Sequence, residues 1–145
     1  MTAPEPTAPP SLLSDAARRY LEAPRFAIVA TLNPDGSPLQ AVVWYALEDD
    51  TIVFNSRVGR QWPTNLARDP RVSFVVADAY DYLEIRGEVV IDEDPVRSQA
   101  VIAGLAHRYH RDEASAAAQI AGFAQEQRVT FVLRPKRVYE RLSSR

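Results

Sequence analysis

Apolar positions in this 145-residue chain follow a helical rhythm at first and then, for most of its length, short β-rich runs. Leu12, Leu13, Ala16, Ala17, Tyr20 and Leu21 share one face of a helix over Ser11–Ala23, with Ser11 or Ser14 to cap it and Pro24 to stop it. Phe26–Leu32 is a continuous apolar run that reads as a strand. Asn33-Pro34-Asp35-Gly36 then signals a turn into a second strand over Pro38–Leu47. In that strand Leu39, Ala41, Val43, Tyr45 and Leu47 alternate with Gln40, Val42, Trp44 and Ala46, so both faces are largely apolar. One face can fill a core while the other meets a partner subunit or a flat ligand.

Glu48-Asp49-Asp50 turns the chain into a third strand, Thr51–Asn55, and a brief helical interruption precedes Arg71–Ala77 and Tyr82–Ile91. The last of these alternates cleanly, with Leu83, Ile85, Val89 and Ile91 opposite Glu84, Arg86 and Glu88, and Gly87 marks a bulge or a close approach. Helical spacing returns from Asp94-Pro95 as two helices joined near His110. Arg128–Leu133 is the final core strand, which Pro135 is expected to end. Six short antiparallel strands with helices between the fifth and sixth fit a small barrel with helical insertions, in the mainly β, α+β class. A doubly wound parallel sheet does not fit, and there is no internal repeat.

The length suits one domain over residues 11–145, with Met1–Pro10 read as a disordered tail. A formal charge of −2 argues against a nucleic-acid surface. The absence of cysteine removes disulfides and thiolate chemistry and is compatible with a reducing cytoplasm. The N-terminal residues lack the pattern of a signal peptide, and no membrane partner is expected.

Against that acidic background Arg57, Arg60, Arg68 and Arg71 crowd the segment after the third strand, where Pro63, Thr64 and Asn65 mark a helix start. Free amides at a helix N-terminus and forked guanidinium donors are what a phosphate requires. Arg57 and Arg60 are the candidate phosphate ligands, and Arg68 and Arg71 are expected to be structural. His107 and His110 have metal-ligand spacing, but without a third ligand they read as surface residues and no metal is expected. No serine has a histidine and a carboxylate in support, so a hydrolase triad is not indicated and no side chain is assigned as catalytic.

Gly59-Arg60, Asn65-Leu66 and Arg68-Asp69-Pro70-Arg71-Val72, together with ATLNPDGSP from Ala30 and YLEIRGEV from Tyr82, resemble the split-barrel flavin and deazaflavin oxidoreductases related to pyridoxamine 5'-phosphate oxidase. The resemblance is to the branch that uses coenzyme F420 and covers Arg25–Glu140. It implies a six-stranded split β-barrel and a homodimer with two cofactor sites across its interface. The ring would lie along the second strand at Gln40, Ala41 and Val42, with Asn55, Ser56, Arg57, Arg60, Gln61 and Asn65 at the phosphate.

F420-binding members often have a lysine two residues past the position of Arg60, where this chain has Trp62. Arg57 would replace that charge, and Trp62 would stack on the ring or its ribityl chain. Trp44 would line the slot for a planar acceptor, or else pack the core or interface, and Tyr80 is a substrate-side candidate. The implied activity is hydride transfer between F420 and a planar organic acceptor. FMN is the alternative cofactor, and a non-catalytic flavin, deazaflavin or tetrapyrrole binder is the alternative function.

Overall fold

The computed structural model describes residues 11–143, so the expected tail at Met1–Pro10 lies outside the described residues. Helix α1 (Asp15–Glu22) starts where the Ser14 hydroxyl accepts the Ala17 N–H, which settles the choice between the two serine caps. Strands β1 (Ala27–Leu32) and β2 (Pro38–Val43) form the expected hairpin, paired from Ala27↔Val43 to Leu32↔Pro38. Then come β3 (Ala46–Glu48), β4 (Thr51–Arg57), α2 (Gln61–Arg68), β5 (Arg71–Asp78) and β6 (Asp81–Asp92). Helices α3 (Pro95–Tyr109) and α4 (Glu113–Phe123) meet at His110, and β7 (Arg128–Arg141) completes the chain.

The strands form one antiparallel sheet in the order β2-β1-β5-β6-β7-β4-β3. Its two edge strands are consecutive in sequence, with only Trp44 and Tyr45 between them. A link that short spans roughly 10 Å, so the sheet must curl until its edges nearly meet, and the opening of the barrel lies at Trp44–Tyr45. Phe54, Phe74, Phe131, Leu83, Ile85 and Leu133 fill the interior, each at most 1% exposed.

There are seven strands among the described residues where six were expected, because the run Pro38–Leu47 breaks at Trp44. Side chains from α3 take up the backbone there in place of a neighbouring strand: the Tyr45 N–H donates to the Tyr109 hydroxyl, and the Tyr45 carbonyl accepts from Arg108 Nε at 3.0 Å. The same Arg108 donates to the carbonyls of Leu21, Glu22 and Ala23, capping the end of α1 and tying α3 to it.

Pro135 does not end the last strand. It faces Gly87 across a register shift between Arg86 and Gly87, where a missing N–H disrupts little, and β7 continues to Arg141. Gly87 is there for close approach, since a Cβ on it would lie 2.1 Å from the Arg134 carbonyl oxygen. Among the described residues no helix is long and apolar enough to cross a membrane.

Candidate cofactor-binding site

The alternation of β2 decides which side chains face outward. Leu39 and Ala41 pack toward the core and Val43 is buried, while Gln40 and Val42 point out. Val42 is 69% exposed, and its register partner Ile28 on β1 is 42% exposed, with Phe26 close behind at 63%. These residues make an apolar ledge on the outer face of the first hairpin.

At the end of β4 the Arg57 and Arg60 side chains are exposed, and no ion pair among the described residues occupies either. Arg60 is also the N-cap of α2, which has no side-chain cap bond, and Pro63 offers no N–H. The start of α2 therefore combines an uncapped helix terminus with two unneutralised guanidinium groups, a setting that favours a phosphate.

Other expected ligands are committed to the protein. The Asn65 amide, fully buried, donates to Thr31 Oγ1 at 3.1 Å and Asn33 Oδ1 at 2.9 Å, and its oxygen accepts from Gln61 Nε2. It holds α2 against β1. Asn55 donates to the Ser98 carbonyl and Thr130 Oγ1, so β4, α3 and β7 meet at this side chain. The Ser56 hydroxyl is buried against the Arg57 carbonyl. Gln61 is exposed and supports Asn65. Arg68 and Arg71 have structural partners, as expected: Arg68 donates to Leu32 O, and Arg71 forks onto Asp69.

Trp62 is 6% exposed and packs on Phe54 and Phe131, with centroids 5.8 and 5.3 Å away. It is a core side chain that also walls a cavity, not a ring open for stacking on a face. Trp44 stacks on Tyr109 at 5.2 Å and meets the edges of His110 and Phe123. Tyr80 is 87% exposed on the β5–β6 turn and does not line the cavity that holds Trp44 and Trp62. His107 is exposed, but His110 is half-buried, bonded to Gln119 and set against Trp44, and so is not the surface residue expected.

A cavity of about 200 Å³ opens between the Val42 end of the ledge and the α3–α4 hairpin. Of the expected residues, Val42, Trp44, Asn55, Arg60 and Trp62 line it together. Gln119, Phe123 and Arg128 line it too, and sequence reasoning had missed them. Arg128 is 7% exposed and donates from Nε to Asn55 Oδ1 at 2.9 Å and from Nη1 to Glu126 at 3.0 Å. Burial, above all, holds its pKa below the usual arginine value, and Arg60 and Arg57 add repulsion. Its trace in the sequence was β alternation, which puts Arg128 on one face of β7 with Thr130, the partner of Asn55.

A curled antiparallel sheet with the helical pair α3–α4 inserted before its last strand, and an uncapped helix start with two unpaired arginines beside an apolar ledge, defines a split-barrel protein of the pyridoxamine 5'-phosphate oxidase-like class. The family described as pyridoxamine 5'-phosphate oxidase matches residues 13–142. The chain belongs to that family. Among solved structures it is similar to an F420 reductase, with 30% identity, a TM-score of 0.67 and coverage of 84% of this chain and 94% of that one. It is also similar to the conserved hypothetical protein Rv2991 from Mycobacterium tuberculosis, with 27% identity, a TM-score of 0.73 and coverage of 88% and 83%. A putative pyridoxamine 5'-phosphate oxidase from Listeria innocua, at 14% identity and a TM-score of 0.61 over 82% and 90%, shares the fold. Among curated proteins, none matches this sequence.

Proposed function

We propose that this protein is an F420-dependent oxidoreductase that passes a hydride between the deazaflavin and a planar organic acceptor. The observation that carries the reading is the pair of unneutralised arginines, Arg57 and Arg60, at the uncapped start of α2 and near the exposed ledge of Ile28 and Val42. Similarity to an F420 reductase at 30% identity supports the choice of cofactor.

The residues present fit such a group. Arg57, Arg60 and the first amides of α2 hold its phosphate. Gln40 and Val42 lie along its ring, and Ile28 and a second copy of the chain shut out water from the ledge, so the protein acts as a homodimer. When bound, F420 supplies the hydride chemistry. The chain itself supplies orientation and a dry apolar setting, with no nucleophile. The cavity beside the ledge is lined by no carboxylate, histidine or tyrosine, so the proton that completes the reduction comes from water.

FMN is the second reading, because the same cations and ledge suit any tricyclic ring with a phosphate tail. Titrating the cofactor-free protein separately with F420 and FMN, followed by cofactor fluorescence, tests the choice. F420 should bind more tightly, and Arg60→Ala should weaken it about tenfold or more. Tighter binding of FMN would replace the cofactor, and binding of F420 with no turnover on any quinone or nitroaromatic would leave a non-catalytic carrier.

A further inference from the structure

Arg128 has a setting that phosphate binding at α2 does not account for. Its guanidinium is 6% exposed by side chain, lies 4.6 Å from the centre of the Phe123 ring, and forms the floor of the cavity under α3 and α4. Burying a cation is costly unless it is paired, and Glu126 supplies one negative charge through Nη1. Of the cavity-lining residues Arg60 and Arg128 carry charge, and both are positive. Counting Glu126, the site retains one positive charge in the cofactor-free protein, where no phosphate occupies Arg60.

The walls narrow the class of ligand. Trp44, Trp62 and Phe123 present flat apolar surfaces, while Asn55, Gln119 and the two arginines present polar ones. At about 200 Å³ the cavity is smaller than the roughly 300–1,000 Å³ of sites for drug-sized ligands. A single residual charge matches a monoanion better than a phosphate dianion. Guanidinium forks match the two oxygens of a carboxylate, and flat walls match a small conjugated ring.

We propose that this cavity of the cofactor-free protein is a subsite for a small planar carboxylate, held by the buried Arg128 and by Arg60, which the phosphate site shares, and bordering the ring ledge of β2 through Val42. Only the further step of making that carboxylate the acceptor's own rests on the oxidoreductase reading. Val42 belongs to both the ledge and the cavity wall, so an acid seated here lies beside a ring on the ledge.

Both tryptophans of the chain line the cavity, so their fluorescence reports on it directly. The cofactor-free protein is titrated with benzoate, with benzamide as the neutral isostere and with inorganic phosphate. Saturable quenching by benzoate and little by benzamide are expected, with phosphate competing for Arg60. Arg128→Gln should lower benzoate affinity about tenfold or more, and Arg60→Gln, at an exposed and unpaired position, should lower it several-fold with an unchanged circular dichroism spectrum. No saturable change with benzoate, equal binding of benzamide, or full affinity in Arg60→Gln would overturn the proposal. F420 binding without benzoate binding removes the subsite and leaves the oxidoreductase. Benzoate binding without F420 or FMN binding does the reverse.

Discussion

Tyr45 is the residue on which the barrel closes. It is fully buried where the chain leaves β2 for β3, its ring meets Phe74 edge-on, and its hydroxyl donates to the Ala23 carbonyl at 3.2 Å. Burial pushes that hydroxyl from its ordinary 10.0 up to about 12. The unfolded chain therefore releases this proton at a lower pH than the folded one does. The stability contributed by the neutral phenol is complete below pH 10 and is lost as pH rises toward 12. Thermal melts of the wild type and of Tyr45→Phe across that range check it: the wild type should lose stability with rising pH more steeply than the variant. Parallel slopes would mean that the folded state does not protect this hydroxyl.

Among the elements, the β6–β7 pair carries the most demanding contact. Gly87 and Pro135 face one another at the register shift, and the missing side chain of one and missing N–H of the other let two long strands stay paired past an irregularity. Gly87→Ala would set a Cβ 2.1 Å from backbone oxygen, which no side-chain adjustment can relieve. It should destabilise the fold by ~1–3 kcal/mol, measured by urea unfolding with the slope unchanged. A loss below a few tenths would show that the strands separate there at little cost. The sequence placed β1, β2, β4, β5 and β6, and it marked Gly87 as a bulge or close approach. It stopped β7 at Pro135 because the partner that tolerates a proline is far away in the chain.

At the scale of the whole molecule, Phe26 just before β1, Ile28 on β1 and Val42 on β2 are exposed together on the outer face of the first hairpin. A second copy covering this face would complete the proposed cofactor site. Sedimentation at micromolar concentration should give a dimer, and Ile28→Arg should give a monomer that remains folded and loses cofactor affinity. A wild type that stays monomeric would remove the interface from the proposal.

The sequence by itself determined the antiparallel barrel with its helical insertion, the cationic segment after the third strand of the expected set, and the alternation that sets Leu39, Ala41 and Val43 on one face of β2 and Gln40 and Val42 on the other. Each of these is written in local periodicity and turn chemistry. Only the tertiary structure decided that Asn65 and Asn55 act as ties between elements, that Trp62 belongs to the core, and that Arg128 closes a cavity with Arg60. Arg128 meets Asn55 across 73 positions of sequence. The physical reason is that a hydrogen-bonding side chain can be committed to the protein or free for a ligand, and its distant neighbours, set by strand pairing and by the seat of α3–α4 over the barrel opening, determine which.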